Sequence, residues 1–546
     1  MAHGRQDAFS ENGAFSLQRA AQLSPRALES ISTPERVETH LGTLDFPLGM
    51  PTEETADRLY DHLDRLDGIR AFLDAYSGVS VWAARKGFLA TGAKDHDVLL
   101  FPEFMDPGAL VLTGNADTVY FLTFLDLTEG PVVVEMPPLT LSFVNDLWFR
   151  WVADPGLPGP DRGTGGTYLF VPPGYAGPLP EGGFFRHRVR TTRLILAGRA
   201  FLEDGDPKPA VERIKERLRI HRYVPGLYGT SVGEIVTGGT APPLPWTAET
   251  WTAALRRPGP PRFVVASGLP LNTVPPADVT YFDLANELVQ DQPAESFDPE
   301  IAGPLAAVGI VKGEPFRPDA RMRRLLTEAA AVGNATARTL ASRPRPEEGA
   351  HFYGPSSQWV NGLLASGHDF MTPPADITDK GVEPRPSSGA RKLNLRSWWW
   401  YLAVGISPTF ATRLTGVGSQ YLFSFADREG RALDGGRHHR LVLPPAIPAA
   451  RFWSVTVYDN QTRSMIDTPQ RFPRAGSQDY PTPAAVAAAD GTTTVHFGPV
   501  RPDGVPEGNW IRTVPARGWF VVLRLYSPLR PFFDKTWRPG EVEAVD

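Results

Sequence analysis

The stretch Leu141–Val152 reads LSFVNDLWFRWV. It is a short run of apolar and aromatic residues, closed off by the loop Gly156–Gly166, GLPGPDRGTGG. Similar runs flank it: Val119–Leu125, Val132–Glu135, Thr167–Val171 and Thr192–Leu196. Short apolar runs punctuated by Gly and Pro predict an antiparallel sandwich or barrel. The same texture returns after about residue 396, in Gln420–Phe425, Arg440–Leu443, Phe452–Tyr458, Thr493–Phe497 and Trp519–Tyr526.

Outside these two regions the pattern is helical or irregular. Residues 1–40 are polar and aperiodic and read as an N-terminal arm. Thr52 is placed to cap a helix whose Leu59, Leu63, Leu66 and Leu73 recur at helical spacing, and Val79–Leu89 continues a helical segment over 41–97. The first β domain is expected over 98–204, and a helical middle region with Pro-rich connectors over 205–395. There Pro318–Leu340 is the strongest helix, with Pro318 in its first turn and Met322, Leu325, Leu326, Ala329 and Val332 on one face. The connectors are Ala241–Pro245, Pro258–Arg262 and Pro373–Pro386, and a second β domain occupies 396–546.

Composition excludes several classes. The 546 residues include no cysteine, which removes disulfides, thiolate metal sites and a Cys nucleophile. The 52 glycines and 55 prolines suit strands and tight turns, while 42% hydrophobic residues suffice for large cores. A net charge of −6 offers no basic field for a phosphate backbone, so no nucleic-acid partner is expected. No apolar run reaches the roughly 18 residues of a membrane span. Residues 1–20 carry Asp7 and Glu11 and lack an apolar core, so no signal peptide is read there and a cytoplasmic location is expected.

Common catalytic motifs fit poorly. Gly229–Gly233 matches G-x-S-x-G, but Pro225, Gly226, Gly238 and Gly239 spoil the strand-turn-helix context that exposes such a serine. No phosphate loop occurs, and Gly163–Gly166 lacks the full dinucleotide spacing, so no nucleotide or flavin motif is read. There is no H-E-x-x-H, and the adjacent His438 and His439 would point to opposite faces of a strand. The cofactor is therefore unknown, with an oxygen-ligated divalent metal still open.

Polar residues inside apolar runs carry more information. If Leu141–Val152 is one strand, Asp146, Trp148 and Arg150 share a face, either as a ligand site or as a structural ion pair. Arg524 and Tyr526 share a face with Phe520 and Val522, and such an arginine needs a carboxylate or a wet cavity. Two loops, Asn115–Thr118 and Tyr458–Arg463, are either turn caps or ligand contacts. Trp148, Trp453, Trp510 and Trp537 read as core, and Trp398–Trp400 as an interdomain or subunit anchor.

Longer motifs carry a resemblance. NADTVYFLTFLDL (115–127), GPVVVEMPP (130–138), NDLWFR (145–150), GLPGPDRGTGGTYLFVPPGY (156–175) and FLEDGDPKPAVE (201–212) resemble the domain of unknown function numbered 1254. GVGSQYL (416–422), FWSVTVYDNQTRSM (452–465), NWIRTVPARGWFVVLRLYSPL (509–529) and FFDKTWRPGEVE (532–543) resemble its usual companion, numbered 1214. The resemblance runs from about residue 40 to the C-terminus. It implies a mixed, β-rich fold of two antiparallel β-sandwich or jelly-roll-like domains joined by an all-α region. It also implies a homo-oligomer with internal cavities. Carried motif positions include Asn115, Asp117, Thr118, Tyr120, Asp146, Trp148, Tyr421, Trp453, Tyr458, Asp459, Arg463, Asn509, Trp510, Arg524, Tyr526 and Trp537. Ala116, Ala516-Arg517 and His439 depart from the usual pattern.

Three functions are compatible with these readings. One is a small-molecule hydrolase or lyase in a cavity between the β domains. It would have Asp117, Asp146 and Tyr458 as catalytic candidates, Asp117 or Asp146 serving as base. Its binding set would be Asn115, Tyr120, Trp148, Arg150, Arg463, Asn509, Arg524 and Tyr526, with no metal ligand assigned. The second is a non-catalytic, container-like protein that binds a small organic ligand through the same residues. The third is a structural assembly module.

Overall fold

A computed structural model describes residues 25–224, 247, 256, 258–378 and 380–545. Most of the N-terminal arm, the Gly229–Gly233 motif and the Ala241–Pro245 connector lie outside the described residues. The chain divides into two compact units, Met1–Asp67 and Gly68–Asp546.

In the first unit, Arg36–Thr39 and Gly42–Asp45 form an antiparallel hairpin, closed across its ends by Arg36 and Asp45. The Thr52 hydroxyl accepts the Thr55 amide at 3.2 Å, which caps the helix Glu53–Asp74 as its sequence foretells. Leu63 and Leu66, expected on the buried face, are 50% and 46% exposed.

The second unit is mixed α/β and rich in sheet. Its first β region builds a six-stranded sheet in the order Phe263–Val265, Val98–Phe101, Val119–Asp126, Arg193–Ala200, Thr140–Asp146, Trp151–Ala153. A four-stranded sheet holds Phe185–Arg188, Thr167–Val171, Val132–Glu135 and Arg219–Arg222. The C-terminal region builds a second large sheet, Ser419–Ser424, Gly518–Pro528, Ala449–Asp459 and Arg474–Gly476, with Leu433–Asp434 also paired to the long central strand. Its companion sheet is Trp510–Arg512, Thr493–Gly498, His439–Leu443 and Glu543–Ala544.

Three readings change. Leu141–Val152 is a hairpin rather than one strand. The chain turns after Asp146, where Phe149 takes φ 56° and the Asp146 carboxylate holds the turn. The Thr192–Leu196 run extends to Ala200 through Gly198, whose missing β-carbon leaves room for Phe121 and Ser142. The middle region is not all-α: Arg219–Arg222 and Phe263–Val265 are edge strands of the two sheets of the first β region, and Asp376–Thr378 pairs with Gly381–Glu383. Its long helix is Ala320–Ser342, capped by the Asp319 carboxylate on the Met322 amide, so Pro318 precedes the cap and Val332 is exposed.

The tryptophan helix Leu393–Leu402 joins the two β regions. Trp400 stacks on Phe149 at 4.6 Å, and Trp398 meets Phe423 edge-on at 5.4 Å. Among the described residues no helix is long and apolar enough to cross a membrane.

Packing here is tight enough to test. A β-carbon on Gly87, in the helix Tyr76–Ala90, would stand 2.1 Å from the backbone carbonyl oxygen of Asn272. Gly87→Ala is expected to lower stability by about 1–3 kcal/mol, seen as an earlier urea unfolding midpoint. An unchanged midpoint would mean that helix and strand do not approach this closely.

Candidate ligand site between the two β regions

The large sheets of the two β regions meet around a buried polar cluster. Asn115 starts it: its side-chain oxygen accepts the Asp117 amide at 2.9 Å, making a local turn just before the strand Val119–Asp126. That turn aims Asp117 at the other region. The Asp117 carboxylate accepts Arg474 Nε at 2.8 Å, Ser454 Oγ at 2.7 Å and the Tyr526 hydroxyl at 2.8 Å. Asp117 and Arg474 are each 0% exposed at the side chain. Asn115 Nδ2 donates to the Tyr526 oxygen at 2.6 Å, and Gln478 donates to the Asp117 carbonyl at 3.2 Å. Burial, then the Asp117 charge, raises the Tyr526 pKa well above the ordinary phenol value, so Tyr526 stays protonated and donates.

Register places two more arginines beside this cluster. In the first sheet Arg199 stands opposite Tyr120, and it shares a strand face with Ala197. In the second sheet Arg524 stands between Tyr421 and Ser454, while Tyr526 stands between Ser419 and Phe452. Arg199 Nη2 donates to Ser419 Oγ at 2.7 Å, and its guanidinium lies 5.2 Å from the Tyr526 ring centre. Arg524 Nη2 donates to the Thr113 carbonyl at 3.0 Å. The Tyr458 hydroxyl donates to the Gly114 carbonyl at 2.6 Å, its pKa pushed by burial up to about 12.

Both arginines are 3% exposed. Nε and Nη1 of each make no well-aligned hydrogen bond among the described residues, the Tyr120 phenol lying beside Arg199 and the Tyr458 phenol beside Arg524, and neither forms an ion pair there. Arginine does not deprotonate in proteins, so these are two buried positive charges without a carboxylate of their own. Asp117 is already held by Arg474.

A pocket of about 120 Å³ lies against Arg524. Tyr120, Tyr421, Arg524 and Asn115 supply its polar side, and Phe101, Phe121, Phe143, Phe410, Phe423 and Trp399 an aromatic wall. Apolar pockets with a few converging polar groups are the usual form of a small-molecule site.

The other sequence candidates lie elsewhere. Asp146 accepts the Trp148 and Arg150 amides and Arg150 Nε, so it caps its hairpin and pairs with Arg150, which also reaches Asp298. Trp148 is buried against Phe297. Asn509 clasps the backbone of Val486 and Thr494. Asp459 caps the Tyr458–Arg463 turn through the Gln461 and Thr462 amides, and Arg463 faces Tyr401 and Tyr76. Among the described residues no three His, Asp or Glu side chains gather where they could hold a metal ion.

Residues 97–222 match the family model for the protein of unknown function DUF1254, and residues 418–530 match that for DUF1214. The chain pairs a DUF1254 region with a DUF1214 region. No curated protein matches it. Among solved structures, the VPA0106 protein of Vibrio parahaemolyticus is similar at 16% identity and a TM-score of 0.48, covering 88% of this chain and 100% of its own. An uncharacterised protein of Burkholderia cenocepacia is similar at 13% identity and a TM-score of 0.35, covering 90% and 97%.

The polar cluster therefore straddles the two family regions. Asn115, Asp117, Tyr120 and Arg199 come from the DUF1254 region; Tyr421, Ser454, Arg474, Arg524 and Tyr526 come from the DUF1214 region. Arg199 and Arg474 were missing from the sequence candidates. The period-two alternation that singled out Arg524 also singles out Arg199, once the strand is carried through Gly198.

Asp117→Asn leaves Arg474 buried without its counter-charge and is expected to cost about 3–5 kcal/mol in urea unfolding. Adding Arg474→Gln should recover part of that loss, since no uncompensated charge remains at the pair. Equal losses in the single and double variants would remove the ion pair from the account of stability.

Proposed function

We propose that this protein binds a small amphipathic carboxylate in the pocket between its DUF1254 and DUF1214 regions. The observation that carries the reading is the pair of buried guanidiniums, Arg199 and Arg524, which meet phenols, a serine hydroxyl and backbone carbonyls but no carboxylate of their own among the described residues. A buried charge is stable when an opposite charge and hydrogen bonds meet it, and a ligand carboxylate supplies both. Arg524 lines the pocket and meets the carboxylate. Arg199, behind Tyr120, adds field and holds the phenols in place. The aromatic wall takes the ligand's apolar body. Asn115, Tyr120 and Tyr526 position these groups.

Binding is better supported than hydrolase or lyase chemistry. The Asp117 and Asp146 carboxylates each already accept three hydrogen bonds, and Tyr458 keeps its proton at neutral pH. None of them is free to act as base. The pairing of a larger sheet with a four-stranded one in each β region favours the sandwich architecture for both.

The test is calorimetric titration with decanoate and 3-phenylpropionate, each against its primary amide. The acids are expected to bind, and the amides to bind at least about tenfold more weakly, the loss of a charge-assisted hydrogen bond. Arg524→Gln should abolish that preference. Equal binding of acid and amide, or no binding of either acid, would sink the proposal.

A further inference from the structure

A second pocket, of about 490 Å³, lies across the helix Leu393–Leu402 from the first. Among the described residues three arginines line it, Arg338, Arg343 and Arg463, and no Asp or Glu does. Arg463 and Arg338 both approach the Tyr401 ring, their guanidinium carbons 4.0 and 5.8 Å from its centre.

The partners of these cations are all neutral. Arg463 donates to the Tyr401 hydroxyl at 3.0 Å, the Gln461 carbonyl at 3.1 Å and the Tyr76 hydroxyl at 3.3 Å. Its Nε is buried and unpartnered, and the residue is 4% exposed. Arg338 donates to the Asn460 carbonyl, and Arg343 to the Gly430 carbonyl at 3.1 Å. Asp459, on the same turn as Arg463, is engaged by the Gln461 and Thr462 amides and by Arg517 at 3.1 Å. His351 spends both ring nitrogens on the Ser357 and Pro344 carbonyls.

We propose that this pocket is an anion site for a phosphoryl group, held between Arg338 and Arg463 with Arg343 at the rim. Two guanidiniums gathered on one aromatic ring repel each other unless an anion lies between them. A doubly charged tetrahedral oxyanion offers enough acceptors for several arginine donors at once. The lining also differs from that of the first pocket. Here hydroxyl, amide and guanidinium groups of Ser342, Gln358, Gln461 and the arginines share the lining with Tyr401 and Phe425, fewer rings than in the first pocket, which suits a hydrated, strongly charged ligand.

The experiment titrates the full chain with inorganic phosphate and with pyrophosphate by calorimetry, at fixed ionic strength. Saturable binding is expected, tighter for pyrophosphate. Arg338→Gln should weaken it at least about tenfold, and Arg186→Gln, on the exposed edge strand Phe185–Arg188, should leave it unchanged. Ala432→Glu places a carboxylate at the exposed edge of the pocket without removing an existing contact of a buried side chain, and should also weaken binding at least about tenfold. It decides the question if Arg338→Gln fails to fold. Absence of saturable binding to either probe, or binding undiminished in Ala432→Glu, would overturn the proposal. So would an equal loss in Arg186→Gln.

Discussion

A carboxylate with no exposure is tolerated only where its surroundings supply the donors that water would. Asp117 meets that condition with atoms from the other end of the chain: Arg474, Ser454 and Tyr526 all lie in the C-terminal β region. The pair is worth little as a net gain, because burying two charges costs nearly as much as their attraction returns. Its consequence is specificity of docking. Any other placement of the two β regions would strand Asp117, Arg474 or both without a partner. The Asn115 turn, the Tyr526 hydroxyl and the Gln478 amide all serve this one arrangement.

The same junction then leaves a surplus. Of the three arginines around this cluster, Arg474 has a carboxylate, while Arg199 and Arg524 lean on hydroxyls, carbonyls and ring faces. Phenols and carbonyls offer dipoles, not charge. A fold selected for stability alone would place apolar residues at these positions, since a well-packed apolar side chain costs less there than an unpaired cation. The surplus positive charge is therefore the feature that most needs a ligand to explain it.

Much of this was legible in the sequence. The strands Val132–Glu135 and Thr167–Val171 were found at their observed bounds, because branched residues between Gly and Pro leave few alternatives. Arg524 and Tyr526 stood out as polar groups in an apolar strand. Two local rules misled. The expected run stopped at Leu196, yet the strand continues through Gly198 because only a residue without a β-carbon fits against Phe121 and Ser142 there. That hid Arg199. Alternation through Asp146, Trp148 and Arg150 assumed an unbroken strand, whereas the Asp146 side chain caps a turn and reverses the chain. Arg474 sits in a three-residue strand too short to show a period, so nothing local marked it as the partner of Asp117. Pairings 357 residues apart in sequence are set by tertiary packing, which no window along the chain can see.

The two pockets are separate cavities with a common wall. Trp399 lines one and Tyr401 the other, two residues apart on one helix. The loop before Asn115 closes the wall: Thr113 donates its amide to the Arg463 carbonyl at 2.8 Å, accepts Arg524 on its own carbonyl and donates its hydroxyl to Leu402. Thr113 and Arg463 both hold positive φ, 44° and 59°, conformations that side chains rarely adopt and that persist only where surrounding contacts impose them. The backbone strain of this junction is thus concentrated between an arginine of one pocket and an arginine of the other. A contact that straightened either residue would have to break a hydrogen bond to the other, so the geometry of each site is part of the geometry of its neighbour.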